Sequence, residues 1–274
     1  TAAARGHQVS LFEASSEIGG QFNMAKTIPG KEEFHETLRY FGRQIELTGV
    51  SLHLNHRVDA EDLASGDYDE IVLATGVLPR KIPLEGIDHP KVLSYLDVLR
   101  GGATVGNRVA IIGAGGIGFD VAEFLTHQGP DSAQDIGAFM REWGVDQSLE
   151  ARGGLIKAEN PTPARSITLC QRRTGKLGAN LGKTTGWIHR STLKKRQVEM
   201  LHSCQYDRID DEGLHLTING EARILEVDHV VICAGQLPAR VLADALTKRS
   251  VHFHQIGGCD VAPELDAKRA IRQG

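Results

Sequence analysis

A glycine-rich segment near the middle of the chain has the residue types and spacing of a dinucleotide-binding loop. The string Gly113-Ala114-Gly115-Gly116-Ile117-Gly118 follows the short apolar segment 108–112 and precedes the amphipathic pattern of residues 119–127. These flanks predict a strand before the glycines and a helix after them, which is the context that a GxGxxG motif needs. The segment therefore predicts a βαβ unit that holds a dinucleotide pyrophosphate, and an ordinary glycine-rich turn is the alternative.

The glycine positions each meet a physical requirement of such a loop. Gly113 permits the tight turn after the strand, and Gly115 lets backbone amides approach the pyrophosphate at the helix N-terminus. Gly118 lets the helix pack closely on the strand. Together with Gly116, these residues form the predicted binding loop for a pyridine nucleotide.

Two arginines follow the next strand of the same unit. This strand is predicted at Ser166–Cys170, after a long polar stretch over residues 129–165 that has the character of an insertion. Arg172 and Arg173 stand where an NAD-binding protein carries a carboxylate for the ribose 2′-hydroxyl. Guanidinium groups can instead hold a 2′-phosphate through paired, charge-assisted hydrogen bonds, so NADPH is favoured over NADH. A solvated basic turn is the alternative.

A strand with a terminal carboxylate is predicted near the start of the chain. Residues 8–13 alternate apolar and polar side chains and end in Glu13, a position from which a carboxylate accepts hydrogen bonds from a ribose. Residues 1–7 predict the last turns of a helix that Gly6 closes, and we expect the start of that helix upstream of Thr1. A solvated carboxylate at a strand end is the alternative for Glu13.

The rest of the pattern alternates helices with strands and contains an internal echo. We predict a helix at 32–47, strands at 51–58, 70–76 and 227–234, a hairpin of 214–218 with 221–225 around Asn219-Gly220, and a helix at 265–271. The string Leu73-Ala74-Thr75-Gly76 resembles Ile232-Cys233-Ala234-Gly235, and both follow apolar runs. This echo suggests a duplicated nucleotide-binding architecture of the α/β class.

Length and composition favour a two-domain protein without a nucleic-acid or membrane surface. The chain has 274 residues, 41% hydrophobic residues and a net charge of −4, enough for two modest cores. It contains no long basic run, no apolar run of membrane-spanning length and no signal peptide. These features predict a cytoplasmic location. The four cysteines are too widely spaced for a CxxC motif, so we expect buried thiols and no metal site.

Several strings resemble the C-terminal half of the bacterial NADPH-dependent 2,4-dienoyl-CoA reductases, within the NADH:flavin oxidoreductase and trimethylamine dehydrogenase family. Besides the Gly113 loop, they are Phe12-Glu13-Ala14, Ile18-Gly19-Gly20-Gln21-Phe22, Ala74-Thr75-Gly76, Leu181-Gly182-Lys183-Thr184-Thr185-Gly186-Trp187-Ile188-His189-Arg190 and Ile256-Gly257-Gly258-Cys259-Asp260. The string that ends at Arg190 is the one most specific to this family. The resemblance covers essentially the whole chain.

The resemblance implies positions that bind FAD as well as NADPH. Glu13 would hold the adenosine ribose of FAD, Val58 would offer backbone to its adenine, and Asp260 would reach its ribityl chain. The other cofactor-binding residues that the resemblance implies are Gly19, Gly20, Gln21, Ala74, Thr75, Gly76, Gly235 and Gly258. A turn acid or helix cap is the alternative for Asp260. His189 and Arg190 are candidates to touch the nicotinamide nucleotide, and a structural role is the alternative for the histidine.

The resemblance also implies a domain order. It predicts an α/β fold with two Rossmann-like dinucleotide-binding domains, in which the NAD(P) domain is inserted into the FAD domain, as in the disulfide reductases. Residues 1–104 would form the first part of the FAD domain, residues 105–248 the NAD(P)H-binding domain, and residues 249–274 the closing part of the FAD domain.

An electron relay is the activity that the resemblance implies. NADPH would pass a hydride to FAD, and electrons would continue through a 4Fe-4S cluster to FMN in an N-terminal barrel of the same polypeptide. There an enoyl-CoA substrate, a 2,4-dienoyl-CoA of fatty acid β-oxidation, would be reduced. The barrel and the first FAD strand and glycine loop are expected upstream of Thr1, so no catalytic residue is assigned here. A non-catalytic dinucleotide-binding module and a stand-alone NAD(P)H:acceptor reductase are the alternatives.

Overall fold

The computed structural model describes residues 1–129, 131–263 and 266–274. Its strands are β1 (Ser10–Phe12), β2 (Ser51–His53), β3 (Val72–Leu73), β4 (Val77–Pro79), β5 (Val92–Ser94), β6 (Arg108–Ile112), β7 (Ser166–Cys170), β8 (Glu199–Leu201), β9 (Cys204–Ile209), β10 (Leu214–Ile218), β11 (Glu221–Leu225), β12 (His229–Ile232), β13 (Gln236–Pro238) and β14 (His254–Gln255). Its α-helices are α1 (Phe22–Ala25), α2 (Phe34–Leu47), α3 (Ala60–Ser65), α4 (Tyr95–Leu99), α5 (Gly116–Thr126), α6 (Ile136–Trp143), α7 (Gly186–Lys195), α8 (Val241–Lys248) and α9 (Ala267–Gln273).

The described chain forms two compact units. The first unit contains residues 1–25, 33–80 and 235–274, and the second contains residues 26–32 and 81–234. Most of the second unit is thus inserted in sequence between parts of the first. The units divide at 80/81 and 234/235, whereas the predicted cofactor domains divide at 104/105 and 248/249. Residues 81–104 belong to the second unit because β5 joins its sheet, and the division into cofactor domains stays a prediction.

The second unit is built on a parallel sheet. Within the described ranges, five parallel strands pair in the order β5-β12-β6-β7-β8, and α5 connects β6 to β7. Alternate residues such as Ile112 and Cys170 share a core with Leu214 and Leu216 of the antiparallel sheet β11-β10-β9. Both faces of a parallel sheet are normally covered, and β6 is buried along four of its five residues. The prediction of an α/β fold is therefore confirmed.

The sequence predicts the hairpin of the second unit accurately but not its third strand. β10 and β11 have the predicted bounds, and Asn219 and Gly220 connect them with φ of 52° and 87°. Positive φ at both central residues is typical of a type I′ turn. β9, which pairs with β10, was not predicted, because its residues Gln205, Asp207 and Arg208 are exposed and polar.

An aspartate with a depressed pKa stabilises the connection from β9 to β10. Oδ1 of Asp210 lies 2.8 Å from His215 Nε2, and Arg208 Nε donates to Asp210 Oδ2 at 3.0 Å. The hydrogen bond with His215 and then that with Arg208 hold the pKa of the Asp210 carboxyl well below its usual range. The carboxylate form is therefore stabilised in the folded protein.

Asp210→Asn is expected to make the free energy of unfolding less sensitive to acid. A carboxyl whose folded pKa is depressed stabilises the fold above its unfolded pKa of about 3.9, and this contribution is lost as the pH falls through that value toward the folded pKa. Urea unfolding from about pH 7 to about pH 3 measures the effect. The difference between wild type and variant should shrink as the pH falls below about 4, and a constant difference would contradict the assignment.

The first unit consists of short paired strands and of helices, two of which contribute to its core. β1 pairs with β2 and β3 with β14, both in parallel, while β4 and β13 form an antiparallel ribbon. Its core combines residues of α3, β3 and α8 with Cys259. The prediction of a buried strand at 70–76 is wrong in part, because β3 is only two residues long and Val72 is 56% exposed. Ile71 and Leu73 are buried, so the backbone alternates between one covered face and one exposed face.

Several other predicted elements occur with altered bounds. The predicted strands at 8–13, 51–58 and 227–234 shorten to β1, β2 and β12, and the helices at 32–47 and 119–127 are α2 and α5. The stretch 129–165 contains α6 and two short 3-10 helices, and its Pro130 lies outside the described residues. The final helix begins at Ala267, and the predicted start at Leu265 lies outside the described residues.

The structure also shows the state of the cysteines, the backbone near Thr1 and the character of the helices. The four cysteines are unpaired and buried, as predicted, and burial raises the pKa of the Cys233 thiol. A 3-10 helix at Ala3–Arg5 ends at Gly6, whose φ of 95° closes it. Among the helices of the described ranges, none is both long enough and apolar enough to cross a bilayer.

Candidate dinucleotide site

The glycine loop lies where the carboxyl ends of three neighbouring parallel strands meet. Gly113 directly follows β6, has a φ of 113°, and donates its backbone N–H to the carbonyl of Cys170 at the end of β7, at 2.9 Å. A Cβ atom at Gly113 would lie 2.4 Å from the carbonyl oxygen of Cys233, which follows β12. Ligands of open α/β sheets bind at this carboxyl edge.

Gly115 and Gly116 leave the start of α5 uncovered. Gly115 is the N-cap residue of α5, with φ −85° and ψ −172°, and it has no side chain that could cap the helix. A Cβ atom added at either glycine would meet no atom within 4 Å. The backbone N–H groups of a first helical turn and the helix dipole both favour an anion, so this open N-terminus can receive a phosphate group.

Gly118 has a different physical role in the same loop. A Cβ atom there would lie 1.8 Å from the carbonyl oxygen of Gly113 and 3.5 Å from Leu169 Cδ1 of β7. The helix and the loop approach too closely at this point for any side chain. Gly113 and Gly118 are thus required by the fold itself, whereas Gly115 and Gly116 leave space for a ligand.

The two arginines lie on an ordered turn at the same sheet edge. Arg172 and Arg173 are exposed and follow β7. The side-chain amide of Gln171 donates to the carbonyls of Arg173 and Gly175, both at 3.1 Å, and Ser203 N donates to the Arg173 carbonyl at 3.1 Å. These hydrogen bonds therefore fix the backbone of the turn, while both guanidinium groups stay available to solvent or to a ligand.

A basic cavity adjoins this turn and was not predicted from the sequence. Its volume is about 400 Å³, and it is lined by Lys176, Leu177, Arg190, Lys194, Val198, Met200 and His202. The lining therefore combines basic and apolar side chains. The lining comes from the turn after β7, from α7 and from β8, so no local sequence pattern signals the cavity.

His189 and Arg190 make contacts within the second unit. Arg190 Nη1 donates to the carbonyl of Gly178 at 3.0 Å, and His189 Nδ1 lies 3.6 Å from Glu123 Oε2 of α5. These contacts link α7 to the segment after β7 and to α5. They favour the structural alternative for His189, while Arg190 both supports the backbone and lines the basic cavity.

A half-buried ion pair that was not predicted from the sequence has one member, Asp120, close to the glycine loop in sequence. Lys31 Nζ lies 2.6 Å from Asp120 Oδ1, and the two side chains are 28% and 22% exposed. Asp120 belongs to α5 and follows Gly118 by two positions. The partners are 89 positions apart, so only the folded chain brings them together.

In the first unit, Glu13 stands at the carboxyl end of β1. Its Oε1 accepts a hydrogen bond from Ser15 N at 2.7 Å, and its backbone carbonyl accepts one from His56 N at 3.0 Å. The Phe12 ring stacks on His53, with centroids 4.7 Å apart. Val58 is half-buried against the core. An acid beside aromatic rings at a strand end is compatible with an adenosine ligand, and the roles of Glu13 and Val58 stay predictions.

The Gly19-Gly20-Gln21 segment leads into α1. Gly19 has a φ of 122°, and a Cβ atom there would lie 2.5 Å from Leu38 Cδ2 of α2. Gly20 has a φ of 49°, and Gln21 is exposed. Backbone conformation and close packing explain both glycines without a ligand, so their contact with FAD remains a prediction.

The glycines that end the echoed strings, Gly76 and Gly235, both lie in the first unit. Gly76 follows β3 with a φ of 75° and Gly235 follows the β12 segment with a φ of 101°, and each glycine leads into one strand of the β4–β13 ribbon. Thr75 Oγ1 donates to the Ala239 carbonyl at 2.7 Å, and Ala239 N donates to the Gly76 carbonyl at 3.0 Å. The exposed Ala74 completes this group. Both copies of the echoed pattern therefore lead into the same antiparallel ribbon.

Asp260 and Gly258 lie in a turn that α9 supports. Gly258 is buried, and Asp260 follows the 3-10 helix Gly257–Cys259. Asp260 Oδ2 accepts a hydrogen bond from Gln273 Nε2 at 2.8 Å, and the same Gln273 side chain accepts one from Gly257 N at 2.8 Å. This bridge matches the turn-acid alternative, and binding of a flavin ribityl chain by Asp260 stays a prediction.

The candidate residues are distributed over both units. In the second unit, one sheet edge brings together Gly113, Gly115, Gly116, Gly118, Arg172 and Arg173. In the first unit, Glu13 is followed closely by the Gly19 segment, and the Thr75 and Gly235 segments meet at the ribbon.

Curated relatives of this chain are longer proteins. The chain is 27% identical over 260 residues to a metal reductase from Desulforamulus reducens, with 93% of the chain and 38% of that protein covered. It is 26% identical over 274 residues to a bilirubin reductase from Mediterraneibacter gnavus, with 100% of the chain and 37% of that protein covered. The chain therefore spans well under half the length of either relative.

Solved structures share the fold. A 2-naphthoyl-CoA reductase complex superposes with a TM-score of 0.80 at 24% identity, with 99% of this chain and 36% of that chain covered. A ferredoxin reductase from Rhodopseudomonas palustris superposes with a TM-score of 0.57 at 17% identity, with 94% of this chain and 63% of that chain covered. The predicted fold class, with Rossmann-like dinucleotide-binding domains, is therefore confirmed.

The family follows from a match that extends over most of the chain. Residues 1–267 match the model described as pyridine nucleotide-disulphide oxidoreductase. This match includes both the open glycine loop before α5 and the Glu13 strand. The chain belongs to the pyridine nucleotide-disulphide oxidoreductase family.

Proposed function

We propose that this chain is the nucleotide-binding part of a flavoprotein oxidoreductase, which takes a hydride from NADPH and delivers it to FAD. The observation that carries the proposal is the uncovered N-terminus of α5, where Gly115 and Gly116 leave room for a pyrophosphate. Membership of the pyridine nucleotide-disulphide oxidoreductase family supports it. NADPH would supply the hydride and FAD would accept it, because nicotinamide and flavin carry the redox chemistry.

The proposed preference for NADPH rests on the charges at one sheet edge. Arg172 and Arg173 lie on a held turn directly after β7, and Lys176 and Arg190 line the adjoining cavity. The glycine loop follows the neighbouring strand β6, and Gly113 is hydrogen-bonded to the end of β7. A ribose held beyond the pyrophosphate would therefore approach basic groups, which favour a 2′-phosphate.

The proposed FAD site uses the first unit. Glu13 stands at a strand end beside aromatic rings, in a position suited to an adenosine ribose. Val58, the Gly19-Gly20-Gln21 segment, the Ala74-Thr75-Gly76 segment, Gly235, Gly258 and Asp260 would complete the site, as the family resemblance implies. The work of these residues would be to bind and orient, because distance and alignment between the two rings control hydride transfer.

We further propose that this chain works within a longer polypeptide. The relatives are longer by a large margin, since the chain covers 38% and 37% of the first two. An FMN-binding barrel with a 4Fe-4S cluster, N-terminal to this chain, would receive the electrons and reduce an enoyl-CoA, a 2,4-dienoyl-CoA of fatty acid β-oxidation. A cinnamate reductase from Clostridium sporogenes, 27% identical over 241 residues, supports a role in reduction of organic acceptors.

The test is turnover by the full polypeptide that contains this chain. NADPH oxidation is measured with a 2,4-dienoyl-CoA, cinnamate, bilirubin or a ferric salt as acceptor, and flavin content is read from the visible spectrum. We expect bound flavin and the fastest turnover with the dienoyl-CoA. Turnover with another acceptor alone would overturn the assignment of a dienoyl-CoA substrate but would support electron transfer from NADPH through FAD. A colourless protein that binds NADPH without turnover would instead support the non-catalytic module.

A further inference from the structure

Three potential metal ligands meet on the surface of the first unit, far from the glycine loop in sequence. Glu70, His252 and His254 each present one ligand atom, and these atoms all lie within 4.8 Å of one another. Glu70 Oε2 is 3.0 Å from His254 Nε2, and the two histidine rings are 5.1 Å apart at 84°. All three residues are exposed, so an ion can reach them from solvent.

The backbone places these side chains together through one strand pairing. β14 pairs in parallel with β3, His254 lies opposite Val72, and His254 N donates to the carbonyl of Ile71 at 2.8 Å. Glu70 directly precedes Ile71 in sequence. His252 and His254 are two positions apart, a spacing that places extended-chain side chains on the same face. Strand hydrogen bonds therefore hold the backbone of His254 near that of Glu70.

We propose that Glu70, His252 and His254 form a binding site for a divalent transition metal ion, with Zn²⁺ as the reference ion. Two imidazoles and one carboxylate match the three protein ligands of open zinc sites, in which water takes the fourth position. Imidazole nitrogen favours zinc, copper and nickel ions, whereas Mg²⁺ and Ca²⁺ favour oxygen ligands alone. The site is independent of the proposed dinucleotide function.

The geometry needs only side-chain adjustment to reach coordination distances. Bonds of about 2.0–2.1 Å in a tetrahedral arrangement separate neighbouring ligand atoms by roughly 3.3 Å. The Glu70–His254 pair is already at 3.0 Å, and the remaining atoms lie within 4.8 Å. Rotation of exposed side chains can close this difference without movement of the backbone, because their rotamers are not locked by packing.

A second group of similar composition provides an internal comparison. Asp210, Glu212 and His215 also bring their ligand atoms within 4.8 Å of one another. There, however, Arg208 already donates to Asp210 at 3.0 Å, and His215 is buried. A metal ion would have to displace a guanidinium group next to it, so like charges oppose binding at this second group.

The experiment is calorimetric titration of the untagged chain with Zn²⁺ in a buffer without chelators. We expect one binding event per chain that His252→Ala and His254→Ala each weaken by about tenfold or more, because loss of even an outer-shell partner of a metal ligand typically costs about that much. Glu70→Gln, which keeps the side-chain shape and removes the charge, should weaken binding as well. Glu212→Gln in the second group is the control and should leave the affinity unchanged.

A spectroscopic measurement keeps the test independent of small affinity changes. Co²⁺ in place of Zn²⁺ should produce visible absorption bands of a site with nitrogen and oxygen ligands, and His252→Ala with His254→Ala should abolish them. Circular dichroism of the exposed-histidine variants should match wild type. Equal Zn²⁺ affinity in wild type and in the double variant, or Zn²⁺ binding that Glu212→Gln removes instead, would overturn the proposal.

Discussion

Gly115→Val is expected to weaken NADPH binding by about a hundredfold or more while the protein stays folded. The valine would enter space that is open in the folded chain, because a Cβ atom at Gly115 meets no atom within 4 Å. Its extended φ and ψ also suit a β-branched residue. A bound pyrophosphate would need that same space, so the loss should fall on the ligand and not on the fold.

Two further glycine variants make this test specific. Gly102→Val, in the exposed loop before β6, should leave NADPH affinity unchanged, since the nearest atom to its Cβ lies 4.0 Å away. Gly118→Ala should instead lower the thermal unfolding midpoint by several degrees, because its Cβ would lie 1.8 Å from the Gly113 carbonyl oxygen. Calorimetry and thermal melts measure these effects. Unchanged NADPH affinity in a folded Gly115→Val protein would contradict the proposed loop function.

Replacing Arg172 and Arg173 together by alanine is expected to abolish the preference for NADPH over NADH. Charge-assisted hydrogen bonds contribute about 1.5–3 kcal/mol each, so loss of two should cost NADPH about a hundredfold or more in affinity. NADH has no 2′-phosphate, and its affinity should hardly change. Because both arginines are exposed, added salt should weaken NADPH binding to the wild-type protein more than NADH binding.

The matched control removes two other surface arginines. Arg39 and Arg43 lie on α2 and pair with Glu36 and Glu46 on an exposed helix face, so Arg39→Ala with Arg43→Ala changes the net charge equally. This control should bind both nucleotides as the wild type does. Equal loss of NADPH and NADH affinity in the Arg172 and Arg173 variant would instead indicate that these residues have a structural role. If the wild-type protein does not prefer NADPH over NADH, Arg172 and Arg173 are not the phosphate ligands. Arg190 in the basic cavity or Lys183 is then the candidate ligand of the 2′-phosphate.

The local elements of the nucleotide loop could be predicted because neighbouring residues determine them. Ser166–Cys170 and both strands of the Asn219-Gly220 hairpin have the predicted bounds. Glycines at fixed spacing specify a turn, and an Asn-Gly pair specifies a hairpin, through the backbone conformations that these residues allow. For the same reason, the sequence indicated that Gly113 permits a tight turn and that Gly118 permits close packing of the helix on the strand.

Strand burial could not be predicted as well, because it depends on what covers each face. The segment 70–76 is apolar, yet its strand is only β3, and Val72 is 56% exposed while Leu73 is buried. β9 was missed for the opposite reason, since several polar residues pair with β10 at the surface. Composition reports the average preference of a segment, whereas burial is decided by the neighbouring sheet.

The amino-acid sequence by itself determined the α/β class, the glycine loop, the basic turn after β7 and the buried state of the cysteines. Only the tertiary structure decided the bounds of the two units, the basic cavity and the pairing of Lys31 with Asp120 across 89 positions. It alone placed Glu70 beside His254, which is 184 positions away. The physical reason is that local backbone preferences act between near neighbours, while contacts between distant residues depend on strand pairing and core packing of the whole chain.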